Sequence, residues 1–267
     1  MTTFNLLLIA LIQGMTEFLP VSSSGHLILL PSLTGLDDQG QVIDVAAHLG
    51  TLTAVVLYFW PDVRLALGGT LRLMRGKVDT KGAFLALCLL IATIPVIIVG
   101  LILKVTGLSD AMRGIAVIGW AMIIFGIVLY WADQKGPTTR AAEAWTLKDA
   151  FTMGLWQTLA LIPGTSRSGI TITAGRVLGY TRTDAARLSM LMSIPTIIAS
   201  ASLLSLDVIG TTDAGALRDI GIVVVMSFIA ALCALTLMMR LLKSVSYTPY
   251  VVYRIALGIV LLWIAYT

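Results

Sequence analysis

Six long apolar stretches dominate this chain, and they restrict its fold more than any other feature. They lie at about 43–60, 83–103, 114–131, 185–206, 219–243 and 249–266. A helix needs about 20 mostly apolar residues to cross a bilayer, and each stretch approaches that length. The chain is 58% hydrophobic and only 12% charged, which is far from the composition of soluble domains. The sequence therefore predicts an all-α integral membrane protein, with residues 1–267 forming one membrane domain.

Two further apolar stretches, about 3–31 and 149–175, are interrupted in the middle by polar clusters. The interruptions read QGMTEFLPVSSSGH in the first stretch and PGTSRSGIT in the second. Pro and Gly there free backbone groups that lipid cannot satisfy, and irregular backbone at this depth is tolerated where it lines a cavity. We therefore expect each stretch to form a re-entrant helix–loop–helix hairpin, which enters and leaves the membrane on the same side.

The distribution of basic residues supports this topology. If both broken segments re-enter, one face of the membrane holds thirteen Lys and Arg residues and the opposite face holds three. Basic loops remain in the cytoplasm, so the sequence predicts a multi-pass protein of the inner (plasma) membrane with both termini and the loop 32–42 outside the cytoplasm. The loops on the basic face are 61–82, 132–149, 176–187 and 240–248.

The two broken segments resemble each other and indicate an internal repeat. Gln13 and Gln157 open them, Pro20 and Pro163 interrupt them, and both close on Ser-Gly. Each segment is followed by three spans, and because three is odd the two halves have opposite orientations. The halves cover about 1–131 and 149–266. Paired discontinuous helices of this kind build one central site in transporters, so we expect the two hairpin tips to meet near the midplane.

The first hairpin carries an ionisable group. Gln13 and Glu17 are four residues apart and share one helix face. An ionisable residue inside a membrane segment is functional by default, so Glu17 is a candidate to bind a divalent cation or to act as a base. The alternative is a shallow Glu17 that is solvated near the headgroups. The hydroxyls that follow, at 22–24, lie beside a flexible Gly and can approach an anion. His26 is either part of this site or structural.

In the second hairpin, Arg167 is the most informative residue. A guanidinium at bilayer depth costs at least ~2.5–3.5 kcal/mol unless it is paired. Its planar fork matches a phosphate bidentately, with hydroxyl and backbone N–H donors completing the cradle. The alternative is a structural salt bridge to Glu17, and the two interpretations are compatible. The polar residues around Pro163-Gly164 are Ser166, Arg167, Ser168 and Thr171.

The remaining polar residues give weaker signals. Arg254 is either an intramembrane cation or a side chain that reaches the surface from its helix end. His48 and Asp44 are expected near the outer face, at most behind the residues of the site. Cys88 and Cys233 lie in apolar runs and are expected to pack there. The net charge of +4 is spread thinly, which argues against a nucleic-acid partner, and the first residues lack the features of a cleaved signal peptide.

These motifs make the chain resemble the undecaprenyl-diphosphate phosphatase family, also called the bacitracin-resistance protein family. The resemblance rests on QGMTEFLPVSSSGH at 13–26 and PGTSRSGIT at 163–171, and the plan of six spans and two hairpins agrees over the full length. It implies an enzyme that uses a divalent cation to remove the terminal phosphate of undecaprenyl diphosphate. The product is the monophosphate lipid carrier of cell-wall synthesis.

The resemblance also implies roles for individual residues. The positions that match the family's functional positions are Glu17, Ser23, His26, Ser166, Arg167 and Thr171. The neighbours expected to help bind phosphate are Ser22, Ser24, Gly164 and Ser168. Glu17, with Gln13, is the expected ligand of a Mg²⁺ or Ca²⁺ ion. Where the family pattern often has Glu, this chain has Gln13, which calls into question any scheme that needs two carboxylates. The expected nucleophile is Ser23 or a water molecule, with His26 as proton donor or as support for Ser23.

Two other functions remain open at the level of the sequence. Inverted repeats and broken helices are also typical of transporters and lipid flippases. An intramembrane serine protease is suggested by Gly164-Thr165-Ser166, although the adjacent Arg167 suits an anion better than a peptide. The phosphatase interpretation predicts a site that opens to the outer, periplasmic face, and it leaves both a monomer and a homodimer open.

Overall fold

The computed structural model describes residues 2–34, 40–208 and 214–267, and within these ranges the chain is helical and contains no β-strand. The all-α prediction is therefore confirmed for this part of the chain. The helices are α1 (Thr3–Thr16), α2 (Ser23–Thr34), α3 (Gly40–Tyr58), α4 (Trp60–Leu73), α5 (Lys81–Thr106), α6 (Leu108–Ala111), α7 (Ile115–Lys135), α8 (Leu147–Thr158), α9 (Arg167–Val177), α10 (Arg182–Val208), α11 (Ala214–Leu241) and α12 (Thr248–Tyr266).

Six of these helices, α3, α5, α7, α10, α11 and α12, are long and apolar enough to cross a membrane. Each overlaps one of the six predicted spans, so the chain is a multi-pass membrane protein. The helices extend beyond the apolar stretches because polar residues cap them. In α5, the Thr80 hydroxyl accepts a hydrogen bond from the Ala83 N–H at 3.2 Å, and Gly107 ends the helix with a φ of +71°. Both are typical helix-end structures.

The two broken segments each form a pair of short helices around an irregular turn. The first pair is α1 and α2, and the second is α8 and α9, with a 3₁₀ turn at Leu159–Leu161 between them. These helices have 11 to 14 residues and are roughly 16–21 Å long. The hydrocarbon core of a bilayer is about 30 Å thick, so none of the four is long enough to cross it.

The fourth helix corrects the sequence analysis, which predicts a loop over 61–82. α4 occupies most of that range. The sequence at its start is the reason, because Pro61 stands in the first turn of the helix and Asp62 follows it. Pro at this position is preorganised for a helix, and an acidic side chain there interacts favourably with the helix dipole. Leu67 and Leu71 on α4 are exposed.

The short helices are buried in the bundle through glycine contacts. α1 packs against α11 and α3, while α8 packs against α5 and α9. A Cβ atom at Gly14 would lie 2.6 Å from the Ala230 Cβ, and one at Gly154 would lie 2.6 Å from the Ala92 carbonyl oxygen. Only glycine permits this approach of the backbones, as is common between helices in membranes. The apolar contacts thus place both turns inside the protein.

A buried ion cluster ties together α7, α9, α10 and the start of α12. The Asp133 carboxylate accepts hydrogen bonds from Arg176 Nε at 3.2 Å and from Arg182 Nε at 2.7 Å. It also accepts one from the Tyr247 backbone N–H at 3.2 Å. We call these four residues the Asp133 cluster. Its charges are paired with one another and with backbone groups, as buried charges must be.

Candidate active site

The turns of the two broken segments contact each other directly. The Ser168 hydroxyl donates to the Leu19 carbonyl at 2.9 Å, and the Gly164 N–H donates to the Ser24 hydroxyl at 3.4 Å. Each turn therefore reaches the backbone or side chain of the other. The two turns therefore meet, as the sequence predicts, and their place at the tips of re-entrant hairpins stays a prediction.

The two turns also have the same local structure. Ser22 and Ser166 are the described non-glycine residues with positive φ, at +74° and +70°. Each precedes the second helix of its pair, and each hydroxyl lies 3.1 Å from the hydroxyl two residues later, Ser24 and Ser168 respectively. A positive φ is a strained conformation for serine. Such strain is found where surrounding structure holds the backbone for a functional reason, and here it turns both serines towards one cavity.

Arg254 holds both turns from behind. Its guanidinium is fully buried and donates to the carbonyls of Gly164 at 3.1 Å, Thr165 at 2.8 Å and Met122 at 3.2 Å, with a longer contact to the Pro20 carbonyl at 3.4 Å. Both turns and α7 are thus tied to one side chain. Of the two alternatives that the sequence left open, the structure has the intramembrane cation.

Glu17 lies at the centre of the site and is 9% exposed, so the alternative of a solvated carboxylate does not hold. Its Oε1 accepts from Arg167 Nη2 at 2.9 Å. Its Oε2 accepts from Gln13 Nε2 at 2.8 Å and from the Ser23 hydroxyl at 3.2 Å. One carboxylate oxygen is therefore bound by the arginine, and the other is bound by an amide and a hydroxyl. The predicted Glu17–Arg167 ion pair is present.

A small polar cavity of about 180 Å³ opens beside this carboxylate. Arg167, which lines the cavity, has a buried Nη1 atom with no hydrogen-bond partner within the described residues. The same holds for two atoms next to the lining: Oε1 of Gln13, whose Nε2 bonds Glu17, and Oγ1 of Thr165, which precedes Ser166. A buried polar atom without a partner costs about 1–3 kcal/mol, so the site retains binding capacity for a ligand. The residues that line the cavity are Glu17, Ser22, Ser23, Ser24, His48, Ala160, Ser166 and Arg167.

Some predicted site residues lie behind this lining. The Thr171 hydroxyl is buried and bonds the Ser189 hydroxyl at 2.6 Å and the Arg167 carbonyl at 2.8 Å, so it supports the start of α9. Ser168 and Gly164 make the contacts between the turns described above. These three residues shape the cavity wall, and a direct contact of any of them with a phosphate stays a prediction.

His26 faces away from the carboxylate. Its Nδ1 lies 2.7 Å from the Ser22 carbonyl oxygen, and its Nε2 lies 2.5 Å from the Tyr253 hydroxyl. The two rings are stacked with centroids 5.6 Å apart. Within the described residues no hydrogen bond joins His26 to Ser23, so the expected support of Ser23 by His26 is absent. His26 instead holds the backbone of the first turn.

His48 was underestimated from the sequence. It was expected to lie behind the site at most, but it lines the cavity. Its Nε2 is 3.2 Å from Gln13 Nε2 and 3.9 Å from Glu17 Oε2. The only signal in the sequence is an imidazole within an apolar span, which is itself a functional indicator. Nothing in the local sequence of α3 reveals that α1 packs against this face.

A larger cavity, of about 500 Å³, lies between α4, α5 and α10. Its walls are mostly apolar, and the Arg187 guanidinium in its lining already has hydrogen-bond partners. Arg187 donates to both oxygens of Asp62, at 3.0 and 2.6 Å, and to Glu143 at 2.8 Å. A site for a polar reacting group needs convergent polar groups that are still free to bind it. The small cavity has them, so we take it as the candidate active site.

The small cavity also fits a cation. Magnesium and calcium ions prefer oxygen ligands. The Glu17 carboxylate lines the cavity, and the Gln13 amide beside it has an unpartnered Oε1, with its Nε2 towards Glu17. Within the described residues no group of three His, Cys, Asp or Glu side chains is gathered closely enough to hold a metal. A cation here would therefore need amide or hydroxyl oxygens, or oxygens of the substrate, in addition to the carboxylate.

The fold and the site together define a multi-pass helical membrane protein with a buried polar site between two broken segments. The sequence profile of the family described as bacitracin resistance protein BacA matches residues 6–260, and the chain belongs to this family. It is 68% identical to an undecaprenyl-diphosphatase of Dinoroseobacter shibae and 67% identical to one of Roseobacter denitrificans, over 267 residues and the full length of both chains in each case. A relative from Jannaschia sp. with the same name is 65% identical over 266 residues, again covering all of both chains.

Proposed function

We propose that this protein is an undecaprenyl-diphosphatase, which hydrolyses the terminal phosphate of undecaprenyl diphosphate and releases undecaprenyl phosphate. The observation that carries the proposal is Arg167. One of its terminal nitrogens binds Glu17, while the other, Nη1, is buried at the cavity without a partner among the described residues. An anion that entered the cavity would complete this guanidinium. The relatives that share the whole length of the chain carry the name of this activity.

The geometry supports the following mechanism. The terminal phosphate enters beside Arg167, and the hydroxyls of Ser22, Ser24 and Ser166 donate to its oxygens. Donors that are fixed in place before the reaction stabilise the charge of a transferring phosphoryl group. The cavity thus binds the terminal phosphate through donors that are already in place, and its side chains need to move little during the reaction.

Ser23 is the nucleophile in this proposal. Its hydroxyl is 3.2 Å from Glu17 Oε2, within reach for proton transfer in a productive complex. Glu17 accepts the hydroxyl proton as Oγ attacks the terminal phosphorus. The bond from that phosphorus to the bridging oxygen breaks, and undecaprenyl phosphate leaves. Water then hydrolyses the phosphoserine and releases inorganic phosphate. A direct attack by water held by Ser23 is the alternative, and it would leave no phosphoserine to trap.

We further propose that Glu17 and Gln13 hold a divalent cation, Mg²⁺ or Ca²⁺. Such an ion would neutralise phosphate charge and polarise the reacting group. The support is the Glu17 carboxylate together with the Gln13 Oε1 atom, which has no hydrogen-bond partner among the described residues.

The same site suggests an inverted repeat of two re-entrant hairpins. Four observations support it: the short helices, the matching positive-φ serines, the two hydrogen bonds that the second turn donates to the first, and the packing of α1 on α11 and of α8 on α5. With the basic residues in the cytoplasm, we propose an inner-membrane protein whose cavity opens to the outer face. The polyprenyl tail would lie in lipid or between helices.

A phosphate-release assay tests the function. The purified protein in detergent should release inorganic phosphate from undecaprenyl diphosphate, and a chelator should abolish the release. A lipid transporter with the same fold would release none, and that result would overturn the phosphatase proposal.

Labelling with an impermeant thiol reagent tests the topology. In a background without Cys88 and Cys233, single cysteines at Thr138 and Ser244 should be protected in intact cells, whereas one at Ser109 should react. Labelling of Thr138 from outside would contradict the re-entrant arrangement. Residues 35–39 and 209–213 lie outside the described residues, so Ser109 is the better reporter for the outer face.

A further inference from the structure

His48 has no role in the proposed reaction, although its Nε2 lies 3.2 Å from the Gln13 amide nitrogen. The imidazole Nδ1 lies 2.7 Å from the Asp44 carbonyl oxygen, and a carbonyl can only accept, so Nδ1 carries a proton. In a neutral imidazole the lone pair then sits on Nε2. That nitrogen faces the cavity, 3.9 Å from Glu17 Oε2. A histidine whose other nitrogen donates to a backbone carbonyl is oriented as metal-binding histidines are.

Two acceptors therefore face each other, and the Gln13 amide bridges them. Its Nε2 is 2.8 Å from Glu17 Oε2 and 3.2 Å from His48 Nε2, while its Oε1 is buried without a partner among the described residues. The two ends of an amide have nearly the same shape. A half-turn of the terminal torsion would place Oε1 where Nε2 now lies. An oxygen there would face two lone pairs, and a cation among the three atoms would stabilise it.

The distance between the two acceptors suits one ion. Ligands about 2.1 Å from a common metal are about 3 Å apart at a right angle and about 4.2 Å apart on opposite sides. The observed 3.9 Å lies within this range. The other carboxylate oxygen, Oε1, remains on Arg167. The Glu17 carboxylate could therefore serve the ion and the guanidinium at the same time.

We propose that His48 Nε2 is a direct ligand of the divalent cation, together with Glu17 and the turned Gln13 amide. This inference rests on the proposed function, because it concerns the cation of the same site. It changes the expected chemistry of the metal. An imidazole ligand suits zinc, copper, iron and nickel, whereas carboxylate and carbonyl oxygens suit magnesium, calcium and manganese. A site with one imidazole and two oxygen ligands should therefore bind zinc as well as the ions that prefer oxygen, and Mn²⁺ is the paramagnetic probe among these.

Pulsed electron paramagnetic resonance of bound Mn²⁺ tests the ligand without any substrate. Mn²⁺ added below one equivalent to the full-length protein in detergent should show modulation from a directly coordinated ¹⁴N nucleus. The chain has two histidines, so growth with ¹⁵N-labelled histidine should remove that ¹⁴N signal from the otherwise unaltered protein. The signal should persist in His26→Gln and vanish in His48→Gln.

Binding constants give a second readout. The dissociation constant for Mn²⁺ should rise at least about tenfold in His48→Gln, since even the loss of a group that supports a ligand costs 10–100-fold. His26→Gln is the matched control and should leave it within about threefold.

Three outcomes would overturn the inference: no bound Mn²⁺, bound Mn²⁺ without histidine nitrogen coupling, or coupling that is lost in His26→Gln. If His48→Gln fails to fold, the labelled wild-type protein still shows that a histidine coordinates the ion, and a signal that persists in His26→Gln assigns it to His48. Phosphate release, measured on the same preparations, separates the two proposals. Phosphate release without nitrogen coupling would leave the phosphatase proposal intact and show that His48 is not a ligand. Nitrogen coupling without phosphate release would keep His48 as a ligand and overturn the phosphatase proposal.

Discussion

Two of the buried clusters that pair arginine with a carboxylate differ in how completely their polar atoms are satisfied. In the Asp133 cluster, Arg176 and Arg182 and a backbone N–H converge on one carboxylate, and the buried side-chain atoms of these residues all have partners. Around Glu17, by contrast, Arg167 Nη1 and Gln13 Oε1 have none within the described residues.

The difference separates structure from function. A cluster that satisfies itself holds helices together, and removing one partner leaves a buried charge, which is costly for stability. A cluster with unpaired donors and acceptors at a cavity gives up stability to bind something else. We therefore expect mutations at Glu17 to change activity and mutations at Asp133 to change stability. The following predictions test this contrast.

Glu17→Gln and Arg167→Lys should have the largest effects on turnover. Glu17→Gln keeps the shape and most hydrogen bonds but removes the charge that accepts the Ser23 proton. Phosphate release should fall by about two orders of magnitude or more, with the elution profile of the folded protein unchanged. Near-normal turnover would return Glu17 to a structural role.

Arg254→Met should come next, because the site depends on the placement of both turns. Its loss leaves the Gly164 and Thr165 carbonyls without their donor. A shift of about 1 Å in a catalytic group can cost about 10²-fold, so kcat should fall by about 10–100-fold. Steady-state kinetics measures this, and thermal unfolding should show a lower Tm as well. A variant with wild-type kcat would show that the two turns hold their positions without Arg254.

Asp133→Asn should mainly affect stability. The change removes the charge that pairs with two arginines, and breaking a buried pair costs about 3 kcal/mol or more. Denaturant titration in mixed micelles should show this loss of unfolding free energy, while phosphate release per folded molecule should stay within about threefold of wild type. A hundredfold loss of turnover in the folded protein would contradict the division of roles between the two clusters.

Part of this contrast could be predicted from the sequence. Apolar length gave the six spans, and the Pro, Gly and Ser pattern located both turns, because lipid leaves few places for irregular backbone. Glu17 and Arg167 stood out because charge is expensive at that depth. The position of His48 could not be predicted, since it depends on how α1 packs against α3. The orientation of His26 towards Tyr253 depends in the same way on the packing of α12. The helix α4 could not be predicted because its charged residues are typical of a loop.

The smallest expected effect is that of Gln13→Glu, which adds a carboxylate to the proposed cation site. A more negative site should bind its ion more tightly. The metal concentration for half-maximal phosphate release should therefore fall several-fold, with little change in the maximal rate. An unaltered or weaker metal dependence would mean that position 13 does not face the ion.

The central claim is that Arg167 keeps one arm for the substrate, and substitution by lysine tests it most directly. Lysine retains the charge but not the planar fork. Arg167→Lys should therefore still pair with Glu17 and fold, and KM should change modestly. The loss should fall on kcat, by about 10²–10³-fold, as is usual when a donor to a developing charge is removed.

Arg182→Lys is the matched control, because Arg182 also binds a carboxylate through two nitrogens, at 2.7 and 3.2 Å, but in the satisfied cluster. Steady-state kinetics of both purified variants on undecaprenyl diphosphate decides the question. The account predicts a kcat about 10²-fold or more below wild type for Arg167→Lys and within about threefold of wild type for Arg182→Lys. A kcat within about threefold of wild type for Arg167→Lys would contradict it, since Arg167 would then be only the partner of Glu17.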